Sequence, residues 1–403
     1  MIPRTLSKKL RMLALKFPVV SIMGPRQSGK TTLVKNVFPR LAYVSLEDID
    51  AREFAAKDPK GFLTTYEKGV IIDEVQRVPD ILSYIQTAVD AKKAAGQFIL
   101  TGSQNILLHE RISQTLAGRV AILKLLPLSL EELESTSYSK KNIDDYIFTG
   151  FYPRIYDKKI TPSDWYGNYI QTYVERDVRL IKNIGDLNTF QKFIKLCAGR
   201  IGQLLNLSSL GNECGITHNT AKAWLSILES CYILFLLRPY HKSFNKRLVK
   251  MPKLYFYDPG LACSLLGIQA RGQLATHYMR GGLFESALIS ELVKERYNRG
   301  EEPNCYFWRD KTGIEVDYLI ERAGMLAPVE IKSGKTIAAD FFDGLKYWTK
   351  VAGKNSKDLY LIYGGSEDQK RSSVNVISWR NISSIIYPKK VSSRKVPPTA
   401  LQG

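Results

Sequence analysis

The stretch Gly24-Pro25-Arg26-Gln27-Ser28-Gly29-Lys30-Thr31 constrains the fold more than any other part of the 403 residues. It fits the spacing G-x-x-x-x-G-K-[ST], and its flanks fit too: Pro18–Met23 is a short apolar run of strand type, and Thr31–Val37 can open a helix. Strand, glycine-bounded loop and helix in that order turn a series of backbone N–H groups toward one point, where a phosphate chain can sit at the helix N-terminus. Lys30 is placed to neutralise β- and γ-phosphate charge and the Thr31 hydroxyl to ligate Mg2+. ATP and Mg2+ are therefore the expected cofactors, held by the residues from Gly24 to Thr31 and by Thr32 after them. A hydrophobic fraction of 44% and a charged fraction of 24% exclude a wholly disordered chain or a coiled-coil rod.

A second apolar run, Gly69–Ile72, ends in Asp73-Glu74. Continuous apolar runs suit a parallel strand covered on both faces, and carboxylates at its C-terminal end meet the nucleotide crevice. Asp73 is expected to hold Mg2+ through water and Glu74 to polarise the attacking water, a pair that favours hydrolysis over kinase-like transfer. Gln97–Ser103 supplies another strand, ending in the hydroxyls of Thr101 and Ser103, suited to sensing the γ-phosphate. Tyr43–Leu46 and Val120–Leu126 bring the sheet to five strands. Arg119 is the first candidate for a γ-phosphate-sensing or finger arginine, with Arg176 and Arg179 as rivals for the finger role and a solvated surface arginine as the plainer alternative.

Gly24–Thr31, Asp73-Glu74, Leu100–Ser103 and Leu116–Arg119, with Tyr173–Asp177 and Tyr257–Leu261 further on, resemble motifs of the prokaryotic AAA-type ATPases that carry a C-terminal DUF4143 domain. The resemblance covers nearly the whole chain. It implies ATP binding and hydrolysis on a P-loop sheet of the AAA/STAND-related type.

Charge is the anomaly of the composition: 58 Lys and Arg against 39 Asp and Glu leave +19. Residues 151–283 hold 18 basic and 8 acidic residues, so more than half of the excess lies in a third of the chain. Such concentration points to a polyanionic partner. Within that third, Ser208–Ile216 and Thr217–Ser230 read as two helices around a glycine turn. Ala221, Trp224, Leu225 and Leu228 form the core stripe of the second helix, leaving His218, Asn219, Thr220 and Lys222 outward at its start, where a recognition helix reaches bases. A strand-loop-strand segment follows, in which Arg238, Lys242, Lys246, Arg247, Lys250 and Lys253 stand without one acidic residue among them. It reads as a phosphate-gripping wing, or alternatively as a solvated basic loop on an inter-domain lever.

The last third contains Gly313–Ile320 and Ala327–Lys332, two alternating strands around a turn at Ala323-Gly324. Pairing Arg322 with Met325 sets Asp317 opposite Glu330 and Glu315 opposite Lys332, all on one face. The preceding helix, Leu283–Tyr297, carries Glu285 on its apolar stripe, where a carboxylate needs a partner or a metal. Helix Glu, strand Asp, then Glu-x-Lys resembles the PD-(D/E)XK nuclease pattern. That resemblance implies Mg2+ on Glu285, Asp317 and Glu330 and a water-activating Lys332. A solvated charged strand or an inert copy of the fold is the alternative.

The expected architecture is an α/β multidomain chain: a P-loop AAA-type parallel-sheet ATPase core (1–130), a helical lid (131–185), a winged helix (186–280), a PD-(D/E)XK nuclease-like α/β domain (281–388) and an unstructured basic tail (389–403). The expected function is a Mg-dependent ATPase that binds DNA, branched or single-stranded forms included, through the basic winged helix and processes it with the C-terminal domain. The alternative is an ATP-switched regulator that binds DNA or protein and has an inert nuclease-like domain. A homo-oligomer is an expected partner and a membrane is not, since no apolar run approaches spanning length. Five scattered cysteines without a C-x-x-C pair, and four histidines without metal spacing, suit free thiols in a cytoplasmic protein.

Overall fold

The computed structural model describes residues 2–387 apart from 93, 104–110, 113, 175–185, 241–248, 323, 354–355 and 357. The rival finger residues Arg176 and Arg179, the wing residues Lys242, Lys246 and Arg247, and the tail lie outside the described residues.

Five strands, β1 (Val19–Met23), β2 (Ala42–Ser45), β3 (Val70–Asp73), β4 (Phe98–Gly102) and β5 (Val120–Lys124), form one wholly parallel sheet in the order β2-β3-β4-β1-β5. β1, β3 and β4 are buried along their whole length, as their unbroken apolar runs require. The order places β4 between the strand that feeds the phosphate loop and the strand that ends in Asp73. All three therefore deliver their C-terminal residues to one edge.

The helices Leu130–Glu134, Ile143–Thr149, Pro153–Lys158 and Pro162–Tyr169 follow, packed through Tyr152, Trp165, Tyr166 and Tyr169. Asp258 explains the Tyr257–Leu261 motif. Fully buried, it caps the helix Pro259–Leu265 through the Leu261 N–H (2.8 Å) and accepts from Phe151 N (2.7 Å) and Tyr166 Oη (2.6 Å). A Cβ on Gly260 would lie 2.5 Å from that tyrosine oxygen, so glycine is needed where the two segments meet.

Three helices, Leu187–Ala198, Leu207–Cys214 and His218–Ser230, then precede an antiparallel pair, β6 (Leu234–Leu237) with β7 (Lys253–Phe256). Gly215, at φ +76°, makes the turn between the second and third helices, and the Thr217 hydroxyl caps the third.

The C-terminal sheet has six strands in the order β12-β13-β11-β10-β9-β8: β8 (Cys305–Arg309), β9 (Glu315–Arg322), β10 (Met325–Lys332), β11 (Leu359–Tyr363), β12 (Gln369–Arg371) and β13 (Val374–Ser378). The β9–β10 hairpin has the register expected from its turn, Arg322 with Met325 through Tyr318 with Val329. The helix Asp343–Ala352 covers the face bearing Trp308, which its own Trp348 meets edge to face at 5.5 Å. The helix Arg280–Asn298 is buried nearly all round, not only along its apolar stripe: Ser286, Ser290, Glu291, Lys294 and Glu295 are inside too. Those polar residues dock it onto other segments. Leu130 N donates to Glu291 (2.6 Å), Lys294 donates to the Leu128 carbonyl (3.0 Å), and Ser290 donates to the Tyr257 carbonyl (2.7 Å).

Candidate nucleotide site and C-terminal charge cluster

At the C-terminal edge of the parallel sheet the loop Gly24–Gly29 leaves β1 and enters the helix Lys30–Val37. Gly24 has no substitute there: a Cβ would lie 2.0 Å from the Leu125 carbonyl oxygen. Gln27 (φ +58°) and Gly29 (φ +93°) occupy the left-handed region, turning successive N–H groups inward. Lys30, 5% exposed, folds over the loop and donates to the carbonyls of Gly24 (3.0 Å) and Pro25 (2.8 Å). Burial lowers its pKa to about 8 against the opposing pull of Glu74 and Asp73. Ser28 closes the turn by donating to Pro25 O (2.9 Å).

The paired carboxylates divide their work. Asp73 accepts from the Thr31 hydroxyl (2.9 Å), from Tyr43 Oη (2.9 Å) and from Thr101. Glu74, left-handed at φ +55°, turns away from the strand and accepts from Ser103 Oγ (2.8 Å) and from Gln76. Lys30, Thr31, Asp73, Glu74 and Ser103 thus converge from the start of one helix and the ends of two strands. Thr31 and Asp73 offer hard oxygen ligands next to the phosphate loop, a donor set that fits Mg2+.

Tyr43 and Gln76 were not among the sequence candidates, and Thr101, expected as a γ-phosphate-sensing hydroxyl, instead donates to Asp73. Tyr43 could have been found from strand order, since β2 lies beside β3. Burial, with the Asp73 charge beside it, pushes the Tyr43 phenol up to about 12, so it serves as a donor to Asp73. Arg4 was also missed. Its guanidinium donates to the Ser28 carbonyl (2.7 Å) and to the Leu126 carbonyl (2.7 Å) and pairs with Glu132 (3.0 Å), tying the N-terminal segment to the phosphate loop.

Arg119 does not join this site. Its carbonyl accepts from Val19 N at the start of β1, which puts it at the amino-terminal edge of the sheet, a strand length of roughly 15 Å from the loop. Its guanidinium is held by Asp90. The expectation that Arg119 senses the γ-phosphate at this site is therefore corrected. Strand direction is the reason: a residue preceding a parallel strand stands at the edge opposite the crevice.

In the C-terminal sheet, Asp317, Glu330 and Lys332 come together as expected. Lys332 Nζ lies 2.5 Å from Glu330 and 3.6 Å from Asp317, and Asp317 accepts from Ile331 N (2.8 Å) where the hairpin ladder ends. Glu315 does not meet Lys332 but pairs with Arg309 (3.0 Å) and Lys253. The cluster opens into a cleft of about 560 Å³ that Lys346 and Lys350 also line.

Lys253 is the largest correction. Assigned from sequence to a solvent-facing wing, it is 2% exposed and lies 3.1 Å from Glu285 Oε1 while also pairing with Glu315. It cannot touch DNA from there. Tyr255 donates to the same oxygen of Glu285. Glu285 is therefore satisfied by a lysine and a phenol, and among the described residues no three His, Cys, Asp or Glu side chains are grouped to hold a metal. Burial, with Asp317 beside them, raises the carboxyl of Glu285 to about 7 and that of Glu330 to about 8. The residues implied by the nuclease resemblance thus do not fit a metal centre in this arrangement.

Of the other residues assigned to DNA, His218, Asn219, Lys222, Arg238 and Lys250 are exposed. Thr220 is half-buried, with its hydroxyl on Thr217 (2.9 Å). All five cysteines are free thiols. No helix among the described residues is long and apolar enough to cross a membrane.

Fold and site together define a P-loop ATPase-like site at the edge of a parallel sheet. Residues 16–134 match the model of an AAA domain, residues 140–272 that of a domain of unknown function (DUF8612), and residues 280–382 that of a second domain of unknown function (DUF4143). The DUF8612 match runs across the boundary placed at 185/186 from sequence. An uncharacterized protein of Mycobacterium tuberculosis is 28% identical over 337 residues, covering 83% of this chain and 74% of that one. An uncharacterized protein of Methanocaldococcus jannaschii is 24% identical over 344 residues, covering 72% and 71%. Among solved structures, the chain is similar to the Walker-type ATPase of Pyrococcus abyssi (14% identity, TM-score 0.44, 66% of this chain and 96% of that one). AMPPCP-bound DnaA from Aquifex aeolicus gives 15% identity and a TM-score of 0.29, covering 56% and 85%.

Proposed function

We propose that this chain is a Mg2+-dependent ATP hydrolase that docks DNA through its basic middle segment. The convergence of Lys30, Thr31, Asp73, Glu74 and Ser103 at one sheet edge carries the reading. On binding ATP, Lys30 exchanges the Gly24 and Pro25 carbonyls for β- and γ-phosphate oxygens, whose charge further favours its ammonium form. Thr31 and Asp73 would hold Mg2+, which supplies charge neutralisation along the phosphates. Glu74 orients the attacking water, and Ser103 and Gln76 fix its carboxylate. Phosphate release assays test this: turnover unchanged by both Lys30→Ala and Glu74→Gln would overturn the assignment.

DNA docking rests on the +10 of residues 151–283 and on the exposed set His218, Asn219, Lys222, Arg238 and Lys250, carried on three helices followed by a two-stranded hairpin as a winged helix would carry them. For the C-terminal domain, the lysine lodged against Glu285 favours the reading in which the domain does not cut nucleic acid. Incubation of the wild type with Mg2+ or Mn2+ and branched, single-stranded and duplex DNA tests it; cleavage lost in Lys332→Ala would reverse that reading.

A further inference from the structure

We propose that Lys253 is the resident cation of the C-terminal carboxylate cluster: its ammonium, delivered from the middle segment, stands on Glu285 and Glu315, against the place where a divalent ion held by Glu285, Asp317 and Glu330 would bind. The inference rests on the non-cleaving reading of that domain and supplies its physical cause.

A lysine enclosed to 2% exposure is stable as a cation only among carboxylates, and Lys253 has Glu285 at 3.1 Å, Glu315 in contact and Asp317 close enough to add to its charge stabilisation. The side chain is not a loose arm that falls into the cluster by chance. Its backbone belongs to β7, paired with Leu237 of β6 and bridged to Leu204. β7 is in turn joined to the helix that carries Glu285, through Ser286 Oγ, which accepts from Phe256 N (3.2 Å) and donates to Phe256 O (3.2 Å). Strand and helix therefore set the lysine-to-carboxylate distance together. The rest of the cluster is matched in the same way, Arg309 to Glu315 and Lys332 to Glu330 and Asp317. Three cations from three segments thus face four carboxylates. A divalent ion held by Glu285, Asp317 and Glu330 would meet the ammonium of Lys253 at contact distance from the first of these and close to the second, a repulsion relieved only if the lysine leaves.

Mn2+ titration of the full-length chain without nucleotide, followed by electron paramagnetic resonance of the free ion, tests the proposal. Lys253→Met is expected to gain one Mn2+ site that the wild type lacks, at least tenfold tighter than any wild-type binding, and Lys253→Met/Asp317→Asn to lose it again. Lys253→Arg keeps the cation and is expected to titrate like the wild type. No gain in a folded Lys253→Met, or a wild-type site that Asp317→Asn removes, would overturn the proposal. Should Lys253→Met fail to fold, wild type against Asp317→Asn decides alone: superimposable titrations uphold the resident lysine, and a lost site refutes it. DNA cleavage is scored separately on the same samples, so a failure of the non-cleaving reading is told apart from a failure of the cation assignment.

Discussion

Arg4 Nε lies 3.0 Å from Glu132 Oε2, both side chains almost wholly buried, and the same guanidinium donates to the Ser28 carbonyl within the phosphate loop. Glu132 also closes the capping box of its own helix with Ser129 and accepts from Thr5 N (2.7 Å). The next residue of that box, Leu130, donates to Glu291 of the helix Arg280–Asn298. One buried ion pair thus stands between the nucleotide loop and the C-terminal body. Removing one partner leaves the other charged and enclosed. Arg4→Ala is expected to cost about 3 kcal/mol, read as a lowered melting temperature in differential scanning fluorimetry. Glu132→Gln, which keeps hydrogen-bond capacity, should cost less; equal melting of wild type and Arg4→Ala would contradict the pair.

The division of labour at the sheet edge separates binding from turnover. Glu74→Gln is expected to lower ATP hydrolysis by roughly 10²-fold or more while nucleotide binding persists, because the carboxylate that orients water is lost and the loop is untouched. Lys30→Ala is expected to lose both. Fluorescent-nucleotide titration beside phosphate release distinguishes the two variants, and equal binding losses in both would refute the division.

Glu295 gives a pH signature away from either site. Burial, reinforced by Glu131 and Glu291, pushes its carboxyl up to about 8, and one of its oxygens is buried without a hydrogen-bond partner. The unfolded carboxyl ionises near 4.5, so the folded state holds the extra proton between those values and stability falls as pH rises through that window. Glu295→Gln should melt higher than the wild type at pH 8.5 and alike at pH 4.5. Melting curves whose separation does not change with pH would exclude it.

Exposed cations on the middle segment should act through counterion release. Lys222→Ala, Arg238→Ala and Lys250→Ala are each expected to reduce the slope of log affinity against log salt by about 1, measured by fluorescence anisotropy on labelled DNA. Lys253→Ala should leave that slope unchanged, since its ammonium faces carboxylates and no solvent. A flat salt response in the wild type would remove DNA from the account of this segment.

The sequence by itself determined what depends on short-range pattern. The phosphate loop, the apolar strand ending in Asp73-Glu74 and the register of the β9–β10 hairpin are each set by spacing, alternation or turn length within one segment, and they stand in the structure as read. Arg119 was legible in principle, because a residue before a parallel strand lies at the edge away from the crevice. Lys253 was not. In the chain it is one more lysine in a basic run, indistinguishable from Lys250, which is exposed. Only the packing of β7 against a helix some thirty residues later turns Lys253 toward Glu285 and Glu315. Whether a charge meets solvent or a buried counter-charge is a property of distant segments brought together, and local pattern carries no record of it.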